Sequence, residues 1–349
     1  AFKGHTVRQC DFFDDIESGR SKVKALWVVA GNPVHNCPNR SRWIERVLPN
    51  LDLVVDVDVW MTDTGEYADY VLPDCMPFER YELVASAAYN HIVLQEPAIE
   101  PQGEAKPDQV IMYEIGKKFG RGEGMDQWQT EEEFYDFCLR KSGFTYETLQ
   151  ERCWAFPEFE YDKHKKGLLR PDGQPGFNTP TGRYNFYSIE MVHFGFPPFP
   201  TYEEPPESPI STPELAQKYP LVLTTGARHW GFFHSEHRQS PSMRRLHPEP
   251  TVLIHPETAA QYGIKDGDWV KIENQFGSCK QKAELSVRIR KDTVSADHAW
   301  WFPERDPDDG TLFGVMECNI NKLIPMRPGK SGLGASYKSQ LCAISKIEE

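Results

Sequence analysis

Apolar and polar positions follow two textures along the 349 residues. After a polar stretch over residues 1–22, Lys24 to Gly31 (KALWVVAG) is a continuous apolar run of strand length. Such runs suit a strand buried on both faces of a parallel sheet. Gly31-Asn32-Pro33 forces a turn. Pro38 is placed to open a helix, and Trp43, Ile44, Val47 and Leu48 recur at helical spacing until Pro49-Asn50. A second strand is expected over Leu51–Trp60, with Leu53, Val55, Val57 and Val59 on one face and Asp56 and Asp58 on the other. Strand, turn, helix, strand is one βαβ unit, so a Rossmann-like α/β domain is expected. Its ligand would sit at the carboxyl ends of the strands, near Gly31-Asn32-Pro33 and Asp58–Thr64. Val71–Pro73 predicts a third short strand. Asp108–Phe119 predicts a helix with Asp108 as N-cap and Gly120 as its stop, and Glu131–Leu139 another. Residues 121–170 otherwise show mixed periodicity. Asn178–Ser188 reads as a turn followed by a strand, RYNFYS, and Phe196–Pro213 as a proline-rich connection.

From Leu221 the pattern becomes short strands and turns: Leu221–Leu223, Thr251–Ile254, Trp269–Glu273 and Cys279–Arg290. Glu257–Tyr262 is a brief helix stopped by Gly263. In the last strand Ala283, Leu285, Val287 and Ile289 face one way and Lys282, Glu284, Arg288 and Arg290 the other. One-sided short strands with glycine turns indicate a β-barrel. The expected organisation is residues 1–150 as the Rossmann-like domain, 151–214 as an irregular connection and 215–349 as an all-β barrel domain.

Composition narrows the chemistry. The chain carries 52 Asp+Glu against 39 Lys+Arg, which argues against a general nucleic-acid binder. No apolar run approaches the ~20 residues of a membrane helix. Eight scattered cysteines form no C-x-x-C pair, so they read as reduced thiols and no metal site from this chain alone is expected. G-x-G-x-x-G is absent, which lowers the odds of a simple NAD-dependent dehydrogenase. The chain begins at Ala1 without a signal-peptide pattern, as a processed protein or a piece of a longer one would, and its compartment stays open. The densest cluster of donors is Leu221–His237 (LVLTTGARHWGFFHSEH), a strand that breaks at Gly226 into a loop suited to a polyanionic or heteroaromatic ligand.

Four segments, in order, resemble those of one family. They are AGNPV at Ala30–Val34, VVDVDVWMTDTGEYADYVLP at Val54–Pro73, TPTGRYNFYS at 179–188, and TTGARHWGFFHSEHR at 224–238 followed by HPETAAQYGIKDGDWVKIEN, Asn321 and Tyr337-Lys338. Together they resemble the carboxyl-terminal half of the molybdenum or tungsten oxidoreductases of the dimethyl sulfoxide reductase family. These carry two molybdopterin guanine dinucleotides. The runs SEHRQSPSMRRLHPEP and HAWWFPE are most similar to an acetylene hydratase-like and aromatic dehydroxylase-like subgroup. The resemblance implies a double-psi type for the barrel. It also implies that Asp58 receives a guanine edge, a role a carboxylate can fill by accepting two N–H bonds. Arg80 and Asp108 fall at further nucleotide positions, although an N-cap role competes for Asp108. Gly31, Asn32, Pro33, Val57 and Thr62 complete the strand-end set. Thr225, Gly226, Ala227, Arg228, His234 and Ser235 match the segment along pterin and pyrophosphate, and Asn321 and Lys338 match later pterin contacts. The resemblance places the metal ligand and any iron–sulfur cluster outside this chain. A small-molecule substrate and an electron-transfer subunit are the implied partners. Two other readings stay open: a nucleotide-dependent NAD(P) oxidoreductase, and a non-catalytic binding module with the same fold.

Overall fold

The computed structural model describes residues 9–85, 91–120, 128, 130–327, 329 and 336–348. Residues 1–8 of the polar amino-terminal stretch and 121–127 of the mixed segment lie outside the described residues. The chain divides into two compact units. One is Ala1–Val71 with Tyr202–Glu349, and the other is Leu72–Thr201. This division follows compactness, and it cuts across the three-part division drawn from sequence texture.

The first unit opens with a helix, Gln9–Glu17, that sequence texture did not announce. Its Phe13 is fully buried and meets Trp43 edge-on at 4.7 Å. Strand β1 (Ala25–Val29) pairs in parallel with β2 (Leu53–Asp58), from Ala25 opposite Leu53 to Val29 opposite Val57. A third strand, β3 (Tyr70–Pro73), completes the sheet in the order β1-β2-β3. The connection between β1 and β2 differs from the expected single helix. Pro33, not Pro38, opens the first helical turn, Pro33–Asn36. Arg40–Arg42 then widens into a π-turn at Trp43–Val47 and tightens into a 3₁₀ turn at Leu48–Asn50. Asp56 also departs from expectation. Both faces of β2 are covered, so Asp56 is fully buried rather than on a polar face, and the Thr62 hydroxyl donates to it at 2.8 Å.

In the second unit β4 (Glu82–Ala85), β5 (Ile92–Gln95) and β6 (Trp154–Ala155) form an antiparallel sheet. The expected helix at Glu131–Leu139 is present, with the Thr130 hydroxyl accepting from Glu133 N. A further helix, Tyr146–Arg152, carries Leu149 into a small core with Leu94 and Tyr135. The helix Asp108–Lys118 starts after Pro107, and Asp108 is its first helical residue rather than its cap. Gly120 ends it at φ 65°. The strand expected at RYNFYS is not formed. Turns and bends occupy it, and Tyr184, Phe186 and Tyr187 are exposed. Alternating aromatics mimic a strand, but among the described residues no neighbouring strand pairs with this stretch.

Returning to the first unit, six strands close a barrel: β7 (Leu221–Thr224), β8 (Thr251–Ile254), β9 (Trp269–Asn274), β10 (Gly277–Leu285), β11 (Thr293–Ala296) and β12 (Gln340–Lys346). Their order around the barrel is β10-β8-β11-β7-β12-β9. Pairing is mixed: β10 runs parallel to β8 and β11 parallel to β7, while the other contacts are antiparallel. Leu223, Val252, Ile254, Val270, Ile272 and Val294 fill the interior with no exposed surface. β10 ends earlier than its alternation implied. Val287 lies beyond it and is 79% exposed, because alternation continues past the last residue that a neighbour can pair.

Candidate functional site

The carboxyl ends of β1 and β2 open onto a cavity of about 570 Å³, lined also by the loop after β7 and by Trp301 and Phe313. That volume is within the range of small-molecule and cofactor sites. Asn32, three residues past β1 and after a left-handed Ala30 (φ 48°), sits on the cavity floor. Its amide nitrogen donates to Asp63 Oδ1 at 2.7 Å and reaches Ser235 Oγ at 3.4 Å, joining segments 203 residues apart. Its amide oxygen accepts from the Thr64 hydroxyl at 2.7 Å.

Asp63 is the hub of this floor. His35 Nδ1 lies 3.2 Å from its Oδ1 and Arg40 3.6 Å from its Oδ2, all three side chains being buried. Burial alone would raise the Asp63 carboxyl. The His35 ring, Arg40 and the Asn32 amide more than offset it and hold the group below its ordinary value. The His35 carbonyl in turn accepts from the amides of Asn319 and Asn321, each at 2.9 Å. Asp56 behaves in the opposite way. Burial lifts it to about 6, with Asp63 adding to the rise and the Thr62 hydroxyl opposing it.

Gly226, which ends β7's approach to the loop, has φ 50°, and a Cβ there would come within 2.6 Å of Ser295 Oγ. Only glycine fits this turn without displacement. Farther along, Arg228 lies over the Phe233 ring at 4.3 Å and meets His234 Nε2 at 2.9 Å. His234 Nδ1 is 3.0 Å from His298 Nε2. Burial, with His234, His35 and two arginines nearby, pushes His298 down to about 3, so it is neutral at ordinary pH. The Trp301 indole donates to the Ser235 carbonyl at 2.6 Å and fixes that wall.

Of the residues singled out from sequence, Gly31, Asn32, Pro33, Asp58, Thr62, His234 and Ser235 line the cavity together. Val57 is buried just below it in β2. Thr225 is buried, and Gly226, Ala227 and Arg228 lead into the lining loop. Asn321 is buried beneath His35, and Lys338 donates to the Gly226 carbonyl. Arg80 and Asp108 belong to the second unit. There Arg80 Nη1 is 3.2 Å from Asp74 and 3.8 Å from Asp108, and Asp74 also accepts from the Asp108 backbone. Sequence reasoning passed over Asp63, His35, Arg40 and His298. Asp63 stood inside the VWMTDT run and His298 inside HAWWFPE, but neither carried a signal of burial. Among the described residues no group of three His, Cys, Asp or Glu is placed to hold a metal ion, and no helix is long and apolar enough to cross a membrane.

Comparison with known proteins places this geometry. Residues 11–118 match the family model of the molybdopterin oxidoreductases, and residues 221–341 that of the molydopterin dinucleotide binding domain. The chain is 31% identical over 301 residues to acetylene hydratase of Syntrophotalea acetylenica, covering 85% of this chain and 40% of that protein. It is 29% identical over 371 residues to dopamine dehydroxylase of Eggerthella lenta, covering 86% of this chain and 36% of that one. The solved structure of acetylene hydratase from Pelobacter acetylenicus superposes with a TM-score of 0.86 at 27% identity, over 96% of this chain and 46% of that one. The chain therefore spans less than half the length of these relatives.

Proposed function

This chain belongs to the molybdopterin oxidoreductases of the dimethyl sulfoxide reductase family, and from that premise we propose that it is the cofactor-holding portion of a molybdenum- or tungsten-dependent enzyme. Its ligand would be molybdopterin guanine dinucleotide, two of which serve the complete enzyme. The carrying observation is the meeting of the β1 and β2 ends with the loop after β7 around one cavity, closed by Asn32 reaching both Asp63 and Ser235. On this reading residues 1–150 form a Rossmann-like nucleotide domain, 151–214 the connection, and 215–349 a barrel of the double-psi type.

The donor set fits the group. Asp58 stands at the cavity with a carboxylate able to accept the paired N–H groups of a guanine. Asn36 Oδ1 and Gln239 Oε1, on residues that line the same cavity, are buried without hydrogen-bond partners among the described residues. Acceptors left in that state favour a ligand edge rich in N–H. Arg228 and the backbone at Gly226 supply donors for phosphate oxygens. Asn321 and Lys338 complete the proposed contacts of this unit, and Arg80 and Asp108 are proposed nucleotide contacts of the second unit. When bound, the metal and its dithiolene pterins supply two-electron oxygen-atom or hydroxyl chemistry. This chain's residues bind, orient and shield. On this reading the metal ligand and any iron–sulfur cluster lie outside this chain, and the partners are a small-molecule substrate and an electron-transfer subunit. No observation favours the NAD(P) alternative.

The test is Asp58→Asn, which removes the charge from the acceptor. It is expected to weaken binding of guanosine monophosphate to the chain roughly tenfold or more, the scale of a hydrogen bond to a charged group. Cofactor content of the longer enzyme should fall in parallel. Unchanged affinity and unchanged pterin content would remove Asp58 from the guanine site.

A further inference from the structure

A second, open groove of about 670 Å³ adjoins the cavity, and Trp60 and Gln239 line both. Its other lining includes Arg238, Arg244, Arg245 and Glu304. In a chain of net charge −13, three arginines against one carboxylate is a local reversal of sign. Each arginine is held differently. Arg244 pairs with Glu304 at 3.0 Å and lies over the Trp300 and Phe302 rings, so its charge is largely spoken for. Arg245 is exposed and has no carboxylate partner among the described residues.

Arg238 is the informative one. It is only 3% exposed, yet its forks meet three backbone carbonyls, those of His234, Glu236 and His298, and no carboxylate within ion-pair distance among the described residues. Its Nε makes no hydrogen bond at all among the described residues. Burial lowers it to about 10, which still leaves it charged at neutral pH. The Asp297 and Glu236 carboxylates favour that charge from beyond ion-pair distance, and a closer anion would complete it. The exposed Arg245 supplies the guanidinium fork that matches a carboxylate or a phosphate in plane and spacing.

We propose that the groove bounded by Trp60, Arg238, Gln239, Arg244 and Arg245 is a binding site for a small oxyanion, a carboxylate or a phosphate, presented at the edge of the cofactor cavity. The oxyanion has two possible sources, the phosphate of a nucleotide seated in the cavity or the acidic group of a separate small molecule. The site itself does not depend on the guanine reading.

The test uses the chain and three substitutions that leave the buried Arg238 in place: Arg245→Ala, Arg244→Gln, and Arg244→Gln with Glu304→Gln, which keeps Glu304 from being left unpaired. Inorganic phosphate, benzoate and guanosine monophosphate are titrated calorimetrically, with circular dichroism confirming the fold. Saturable binding of phosphate or benzoate, weakened about tenfold by Arg245→Ala and less by the two Arg244 variants, is the expected result. Equal weakening for guanosine monophosphate identifies the nucleotide's own phosphate as the source. Weakening for phosphate and benzoate alone identifies a separate acidic ligand. No saturable binding at millimolar probe, or binding indifferent to all three variants, overturns the site. Failure of guanosine monophosphate to bind while phosphate binds overturns the guanine reading and leaves this one standing.

Discussion

The barrel interior and the cavity floor belong to one compact unit and solve opposite problems. The barrel core is mostly apolar, with Leu223, Ile254, Val270 and Ile272 sealed between paired strands, and its buried Gln281 amide donates to the Asp297 and Cys318 carbonyls. The floor at the ends of β1 and β2 is as deeply buried but polar: beside Asn32, which is fully bonded, the side chains of His35, Arg40 and Asp63 carry several atoms with no hydrogen bond among the described residues. Burying unsatisfied polar atoms costs free energy that a purely structural element would avoid. The barrel therefore stabilises the unit, while the floor carries a cost that a bound ligand would offset.

The largest effect should come from breaking the floor's central ion pair. Asp63→Asn keeps the side-chain shape but leaves Arg40 as an uncompensated buried cation, and should destabilise the chain by about 3–5 kcal/mol in denaturant titration. Adding Arg40→Met should recover much of that stability without restoring guanine-nucleotide affinity, because the His35 and Asn32 bonds to a carboxylate stay lost. Recovery of both together would make the floor purely structural and erase the contrast with the barrel.

Slightly smaller is the matching cut in the barrel. Leu223→Ala, at a position with no exposed surface, should cost about 2–5 kcal/mol. Ligand affinity, measured where the variant is fully folded, should not change. A variant that loses affinity while folded would show that the barrel core also sets the cavity's geometry.

The smallest effect concerns Asp56. Its carboxyl rises from 3.8 to about 6 on folding, so the folded state holds its proton more tightly than the unfolded chain. This group's contribution to stability therefore falls as pH rises from about 4 to about 6, and is flat above that window. Asp63, held low, works in the other sense at lower pH. The informative quantity is the difference between wild type and Asp56→Asn, which should shrink on acidification through that window. A difference independent of pH would mean that Asp56 is ionised in the fold.

Local signals found much of this molecule. The KALWVVAG run located β1, and the alternation beyond Leu221 located β7, β8, β9 and most of β10, because apolar periodicity reports which faces are covered. The strand-end rule and the family segments put seven of the cavity's lining residues on the page, from Gly31 to Ser235. Glycine chemistry held as well: Gly120 and Gly263 stop their helices at φ 65° and 64°. These features depend on neighbours a few residues away, and the order of residues contains them.

Features made by distant segments were not legible. β11 and β12 exist because β7, β8 and β9 are there to pair them. RYNFYS has a strand's alternation but no such neighbour among the described residues. Asp56 and Asp63 look alike in sequence, two carboxylates near a strand end, yet one is raised by burial and the other lowered by His35, Arg40 and Asn32. Arg238 became a candidate anion ligand only when folding withdrew it from water without giving it a carboxylate within ion-pair distance among the described residues. Charge, pairing and desolvation at such positions are set by groups brought together across the chain, and only the tertiary structure decides them.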